Sequence, residues 1–157
     1  MSDERVRLLL DIEEIQQLKA RYWRYIDNKD WDAWRTLFTD DFHFETFGYV
    51  WDGADKVVSD ISAAAAQAVT VHQGHTGEIT ITGPDTATGI WAFSDWSAHA
   101  PLADEPPTGF HGHGHSHDEY VRTADGWRIR HTVVTRLRVD PLEGGVPTLA
   151  APADEEH

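Results

Sequence analysis

Tyr22, Asp27, His72, His75 and Asp95 are the residues whose types and settings could do chemistry. Tyr22 falls on the apolar stripe of an N-terminal helical pattern, and Asp27 closes that pattern. His72 and His75 open a strand-like run, Val71-His-Gln-Gly-His-Thr-Gly-Glu-Ile-Thr-Ile81, and Asp95 interrupts the aromatic run Trp91-Ala-Phe-Ser-Asp-Trp96. A carboxylate beside an imidazole fixes its tautomer and stabilises the imidazolium, which makes the histidine a better base near neutral pH. A second carboxylate can pass the proton on, and a phenol in an apolar pocket can donate to a carbonyl oxygen that becomes an enolate.

Each residue also has an ordinary structural use. A tyrosine on a helix stripe is commonly core with its hydroxyl satisfied. Asp27, just before Asn28, can end a helix by local hydrogen bonding, and at 100° per residue it lies roughly 140° around from Tyr22. Strand histidines are often structural or exposed, and Asp95 could sit at a bulge. Residue types and spacing leave these alternatives open.

His111, His113, His115 and His117 alternate with Gly112, Gly114 and Ser116. Period two places the four histidines on one strand face, where zinc, nickel or copper could bind with help from Asp118 or Glu119. Residues along one strand face form a line rather than a tetrahedron, so no metal site is assigned. The register expects Gly114 and Ser116 inward and the histidines outward.

The elements that must position these groups follow from periodicity. Leu8, Ile12, Ile15, Leu18, Tyr22 and Ile26 recur at three- and four-residue spacing, predicting a helix over residues 4–27. Asp30 is the expected cap of a second short helix running through Trp34, Leu37 and Phe38. Phe42, Phe44 and Thr46 alternate as a strand, Gly48 marks a turn into Tyr49–Trp51, and the alanine-rich residues 54–68 favour a helix. Val71–Thr82, Thr86–His99, Phe110–Arg122 and Trp127–Val139 then read as strands. The turns between them are Gly83-Pro84-Asp85 and Ala124-Asp125-Gly126, with a Pro-rich connection over residues 100–108. Helices followed by a strand meander predict an α+β fold, helices on one face of an antiparallel sheet. Residues 1–140 are expected to form one domain and residues 141–157 a mobile tail.

Thirteen Lys and Arg against 27 Asp and Glu give a formal net charge of −14 over 157 residues. That balance argues against nucleic acid and against anionic membrane surfaces as partners. The absence of cysteine excludes disulfides, thiolate metal sites and cysteine nucleophiles. No apolar stretch approaches the ~20 residues of a membrane span, and no signal segment is evident, so a cytoplasmic location is expected. There is no nucleophile elbow, phosphate-binding glycine loop or dinucleotide fingerprint.

The segment Leu18-Lys-Ala-Arg-Tyr-Trp-Arg-Tyr-Ile-Asp-Asn-Lys-Asp-Trp-Asp32 resembles the opening helix of the SnoaL-like family, in the nuclear transport factor 2-like superfamily. His72-Gln-Gly-His-Thr-Gly-Glu-Ile-Thr-Ile81, Thr86-Ala-Thr-Gly-Ile-Trp91 and Asp95 extend the likeness, which spans roughly residues 12–139. Its nearer members are bile-acid 7α-dehydratase and, further off, scytalone dehydratase. The resemblance implies a cone-shaped fold, a curved antiparallel sheet around a pocket plugged by helices. It also implies dehydration of a hydroxylated carbonyl compound, steroid- or polyketide-like, without metal or organic cofactor.

By position, the resemblance makes Tyr22 the group that polarises the carbonyl, His72 the base, Asp27 its orienting partner and Asp95 a proton relay. His75, Thr46, Trp91 and Arg136 become expected substrate contacts, Arg136 lying nine residues after Trp127 in the last strand. Arg136 could equally be a surface arginine like Arg128, Arg130 and Arg138. Thr46 and Ile26 stand where relatives place pocket tyrosines, so substrate shape is not carried over. Ketosteroid-type isomerisation, polyketide cyclisation, halide elimination and non-catalytic binding all occur on this fold. The named relatives also imply a homo-oligomer, trimer or dimer.

Overall fold

The computed structural model describes residues 3–99 and 108–142. Helix α1 spans Asp3–Asp27 and buries Ile15, Leu18, Tyr22 and Ile26, the three- and four-residue spacing its sequence carries. The expected stripe is shorter at its start: Leu8 is exposed, and burial begins at Asp11. The helix ends in a Schellman arrangement, Asp30 N–H to the Tyr25 carbonyl at 2.9 Å and Lys29 N–H to that of Ile26 at 3.2 Å. Lys29 holds the left-handed position there, φ 60°, which glycine more often fills.

Helix α2 covers only Trp31–Arg35, capped by Asp30, whose carboxylate accepts the Ala33 N–H at 3.3 Å. Leu37 and Phe38 do not extend it. Strand β1 already begins at Phe38 and runs to Thr46, because Phe38 is drawn into the aromatic core beside Phe42, ring centroids 4.1 Å apart. Phe47 and Gly48 both take positive φ, 49° and 79°, the geometry of a tight hairpin into β2, Tyr49–Asp52. Helix α3, Ala54–Ala65, packs over β1, β2 and β3.

The remaining strands are β3 (Ala68–Gly83), β4 (Thr86–His99), β5 (Thr108–Thr123) and β6 (Gly126–Pro141). The sheet order is β2-β1-β6-β5-β4-β3. Every neighbouring pair is antiparallel except β1 with β6, which is parallel, so the sheet is mixed rather than wholly antiparallel. A register shift in β3, between Gly74 and Gly77, and another in β6, where Leu137 is the extra residue opposite His113 and Gly114, bend the sheet into a curved half-cone. Helices α1 and α3 cover the concave side.

Alternation decides which side chains face inward. In β5, Gly112, Gly114, Ser116, Asp118 and Tyr120 are buried, while the four alternating histidines face the other side, as the register expected. Asp118 therefore points away from those histidines and cannot join them on a metal. The expected connection over residues 100–108 lies, up to residue 107, outside the described residues, as do residues 143–157 of the expected tail. Pro141 itself closes β6.

Candidate active site

A cavity of about 260 Å³ opens between α1, α3 and the concave face of the sheet. Its walls are largely apolar, formed by Trp23, Ile26, Phe44, Phe93, Phe110 and Val134 among others. Tyr22, Thr46, His72, Asp95 and Arg136 bring polar atoms to it.

His72 is fixed from the end of α1. Its Nδ1 lies 2.6 Å from Asp27 Oδ1, and its backbone N–H donates to Asp27 Oδ2 at 2.7 Å. Thr70 donates its hydroxyl to Asp27 Oδ1 at 3.0 Å, and the Lys29 ammonium donates to Thr70 Oγ1 at 2.7 Å. The left-handed turn at Lys29 aims that ammonium back over the helix end. Both Asp27 oxygens are thus engaged, and the carboxylate has one orientation. With Nδ1–H donated to Asp27, the neutral ring leaves Nε2 as its bare nitrogen. Trp23 stacks on His72, centroids 5.5 Å apart and planes at 14°, and on Phe93 at 5.4 Å.

Arg136 grips Asp95 with two hydrogen bonds, Nη1 to Oδ1 at 2.5 Å and Nη2 to Oδ2 at 3.0 Å. The Asp95 side chain is 4% exposed and that of Arg136 17%. Phe47 and Phe93 lie 4.3 and 5.1 Å from the guanidinium carbon, a cation–π setting. The Arg136 Nε–H is covered and has no hydrogen-bond partner among the described residues. Arg136 therefore belongs to the cavity, not to the surface set of Arg130 and Arg138. A relay through Asp95 would first have to break one of its two bonds to Arg136.

Tyr22 is buried, and its hydroxyl has no hydrogen-bond partner among the described residues. Burial pushes its phenol well above the ordinary range, reinforced by the Asp118 and Asp95 carboxylates. The group is a neutral donor at any physiological pH.

Two expected contacts lie elsewhere. His75 is exposed, in a separate recess with Gln16, Ala20 and Gly77. It sits three residues from His72, across the Gly74/Gly77 register shift, so it does not share that residue's face. Trp91 is buried beside Gly77 and donates its indole N–H to Tyr120 at 2.9 Å, behind the cavity rather than on its wall. Trp51 donates its indole N–H to Asp60, and Trp96 lies on the outer face beside His111.

Sequence reasoning missed the network behind Tyr22. Lys19 and Asp118, both with fully buried side chains, pair at 2.7 Å. Ser116 and Thr132 donate to Asp118 Oδ1 at 2.9 and 2.8 Å, and Tyr120 to Oδ2 at 2.7 Å. The Lys19 ammonium also sits 4.3 Å from the Tyr22 ring centre and 4.5 Å from that of Trp23. Burial lowers the Lys19 pKa against the opposing pull of Asp118. The signal was present: Lys19 shares the stripe of Ile15 and Tyr22, and Asp118 is in phase with inward-facing Ser116.

Comparison with known proteins places this arrangement. The model of the SnoaL-like domain matches residues 7–133. A protein of unknown function from Mycobacterium tuberculosis shares 27% identity with a TM-score of 0.69, over 83% of this chain and 78% of the other. A hexachlorocyclohexane dehydrochlorinase of Novosphingobium barchaimii shares 16% identity, TM-score 0.74, over 90% and 98%. A candidate scytalone dehydratase of Novosphingobium aromaticivorans shares 13%, TM-score 0.75, over 92% and 97%.

Proposed function

Since the chain belongs to the SnoaL-like family, we propose that it is a cofactor-independent lyase that eliminates water from a hydroxylated carbonyl compound. Structural neighbours named as a dehydrochlorinase and a candidate dehydratase make processing of a small molecule the common ground. The single observation that carries the reading is the His72–Asp27 pair, 2.6 Å apart, at the wall of an apolar cavity.

In the proposed reaction His72 Nε2 removes the acidic proton beside the substrate carbonyl. The electron pair moves onto the carbonyl oxygen, where the neutral Tyr22 hydroxyl donates a hydrogen bond. Asp27 holds the ring and stabilises the imidazolium that forms. The enolate then re-forms its carbonyl as the C–O bond to the β-hydroxyl breaks, and the departing oxygen takes the proton held by the His72 imidazolium, leaving as water and restoring the neutral base. Arg136, held by Asp95, supplies positive charge for a developing anion. Asp95 serves this reading as the residue that orients Arg136, or as a relay if substrate binding loosens their pair.

Non-catalytic binding would not require so complete a fixation of His72. Isomerisation or cyclisation on the same base is separated by product mass, since only dehydration loses one water. The test is a screen of hydroxy-ketosteroids and polyketide-like β-hydroxy ketones by mass spectrometry. Loss of one water supports the proposal. A rearranged product of unchanged mass replaces it with isomerisation or cyclisation.

A further inference from the structure

The convex face of the sheet, opposite the cavity, carries a row of four chemistry-bearing residues across four adjacent strands. Asp52 on β2 pairs with His43 on β1, His43 with His131 on β6, and His131 with Glu119 on β5. Glu45, two residues after His43, shares its face by strand alternation. None of these belongs to the cavity.

The contacts have a consistent direction. His43 Nδ1 lies 2.6 Å from Asp52 Oδ1, and its Nε2 lies 2.8 Å from Glu45 Oε1. His131 Nδ1 faces Glu119 Oε1 at 3.6 Å, while its Nε2 is covered and has no hydrogen-bond partner among the described residues. The two imidazoles meet edge to face, centroids 4.7 Å apart. One ligand atom from each of His43, Glu45 and His131 falls within 4.8 Å of the others, the one such group among the described residues.

We propose that His43, Glu45 and His131 form a binding site for a divalent transition metal, zinc foremost. Ligand atoms about 2.0–2.1 Å from a tetrahedral zinc lie roughly 3.4 Å apart, so small side-chain rotations close the site. Two imidazoles and a carboxylate suit zinc, nickel or copper and disfavour magnesium or calcium, which prefer all-oxygen sets. Asp52 is hydrogen-bonded to the remaining nitrogen of His43, and Glu119 stands 3.6 Å from that of His131. An outer carboxylate hydrogen-bonded in this way fixes the tautomer in which His43 presents Nε2. Three protein ligands leave a fourth position for water.

The site spans the parallel β1–β6 junction, where the register shifts between Phe38 and His43. Phe44 and Thr46 on β1, and Val134 and Arg136 on β6, line the cavity from the other side of the same strands. A bound ion would clip together the two strands that carry this wall. His111 to His117 stand along β5 alone and supply no convergent trio.

The test is calorimetric titration of zinc chloride into untagged, chelator-treated protein, with cobalt absorption as a second readout. The expected result is about one zinc per chain, weakened about tenfold or more in His131→Asn and in Glu45→Gln. A variant with His111, His113, His115 and His117 all replaced by Asn should bind as the parent does. Glu45→Gln, nearly isosteric and on the surface, decides if His131→Asn fails to fold. No zinc uptake up to about 1 mM, a level weaker than a specific site, overturns the proposal. So does uptake lost in the four-histidine variant but unchanged in Glu45→Gln.

Discussion

Trp23 lies flat against His72, and Gly74 is what allows it to. A Cβ on Gly74 would overlap the Trp23 indole nitrogen. Gly74→Ala should therefore push Trp23 off both His72 and Phe93. The expected cost is about 1–3 kcal/mol of stability, with a changed near-ultraviolet circular dichroism signal and reduced turnover. An unchanged tryptophan signal would contradict the stacking.

Tyr22→Phe separates function from packing. The hydroxyl has no partner among the described residues, so its loss should change stability by no more than about 0.5 kcal/mol in denaturant titration. Turnover should fall about 100-fold if the phenol stabilises an enolate oxygen. Unchanged turnover would remove Tyr22 from the mechanism.

Lys19→Met tests the network behind that phenol. Breaking a buried pair leaves Asp118 with its three hydroxyl donors and no cation, a loss of about 3–5 kcal/mol at neutral pH. The pH dependence has a definite sign. The folded-state pKa of Lys19 is lowered from 10.5, so between the two values the unfolded chain binds the extra proton. The contribution of Lys19 therefore grows as pH rises through that window and levels off above 10.5. The stability difference between wild type and Lys19→Met should widen as pH rises toward 10.5 and then level off. A difference that narrows would contradict the direction of the shift.

Asp27→Asn should keep the shape of the helix end while weakening the hold on His72. The amide oxygen can still accept one donor, but the negative charge that stabilises an imidazolium is gone. The expected loss in kcat is about 10²- to 10⁴-fold, with a stability loss of about 1–3 kcal/mol because the amide NH2 replaces one acceptor oxygen. A steady-state assay beside a thermal melt checks both.

Periodicity made the elements legible: the Ile15, Leu18, Tyr22, Ile26 stripe produced α1, and Thr86–His99 is β4 to the residue. What periodicity does not encode is which strands meet. The parallel pairing of β1 with β6 joins residues 88 to 91 positions apart and leaves no local mark. Short apolar runs are equally ambiguous, which is why Leu37 and Phe38 read as helix when Phe38 begins a strand. At the site, the resemblance named His72 and Asp27 together, whereas helical geometry alone set Asp27 roughly 140° around the helix from Tyr22. Thr70 and Lys29 complete that pairing through a left-handed turn that no residue type announced. Lys19 escaped because a lysine reads as surface even on an apolar stripe, and His43 and His131 because strand pairing alone makes them neighbours.

The central claim is that His72, held by Asp27, is the base of an elimination. The direct measurement is turnover of a dehydrated hydroxy ketone by His72→Ala, with circular dichroism and ligand binding measured on the same preparation. A folded variant that binds the ketone and loses at least about 100-fold in kcat is the predicted result. A folded variant that releases water at the wild-type rate would contradict it.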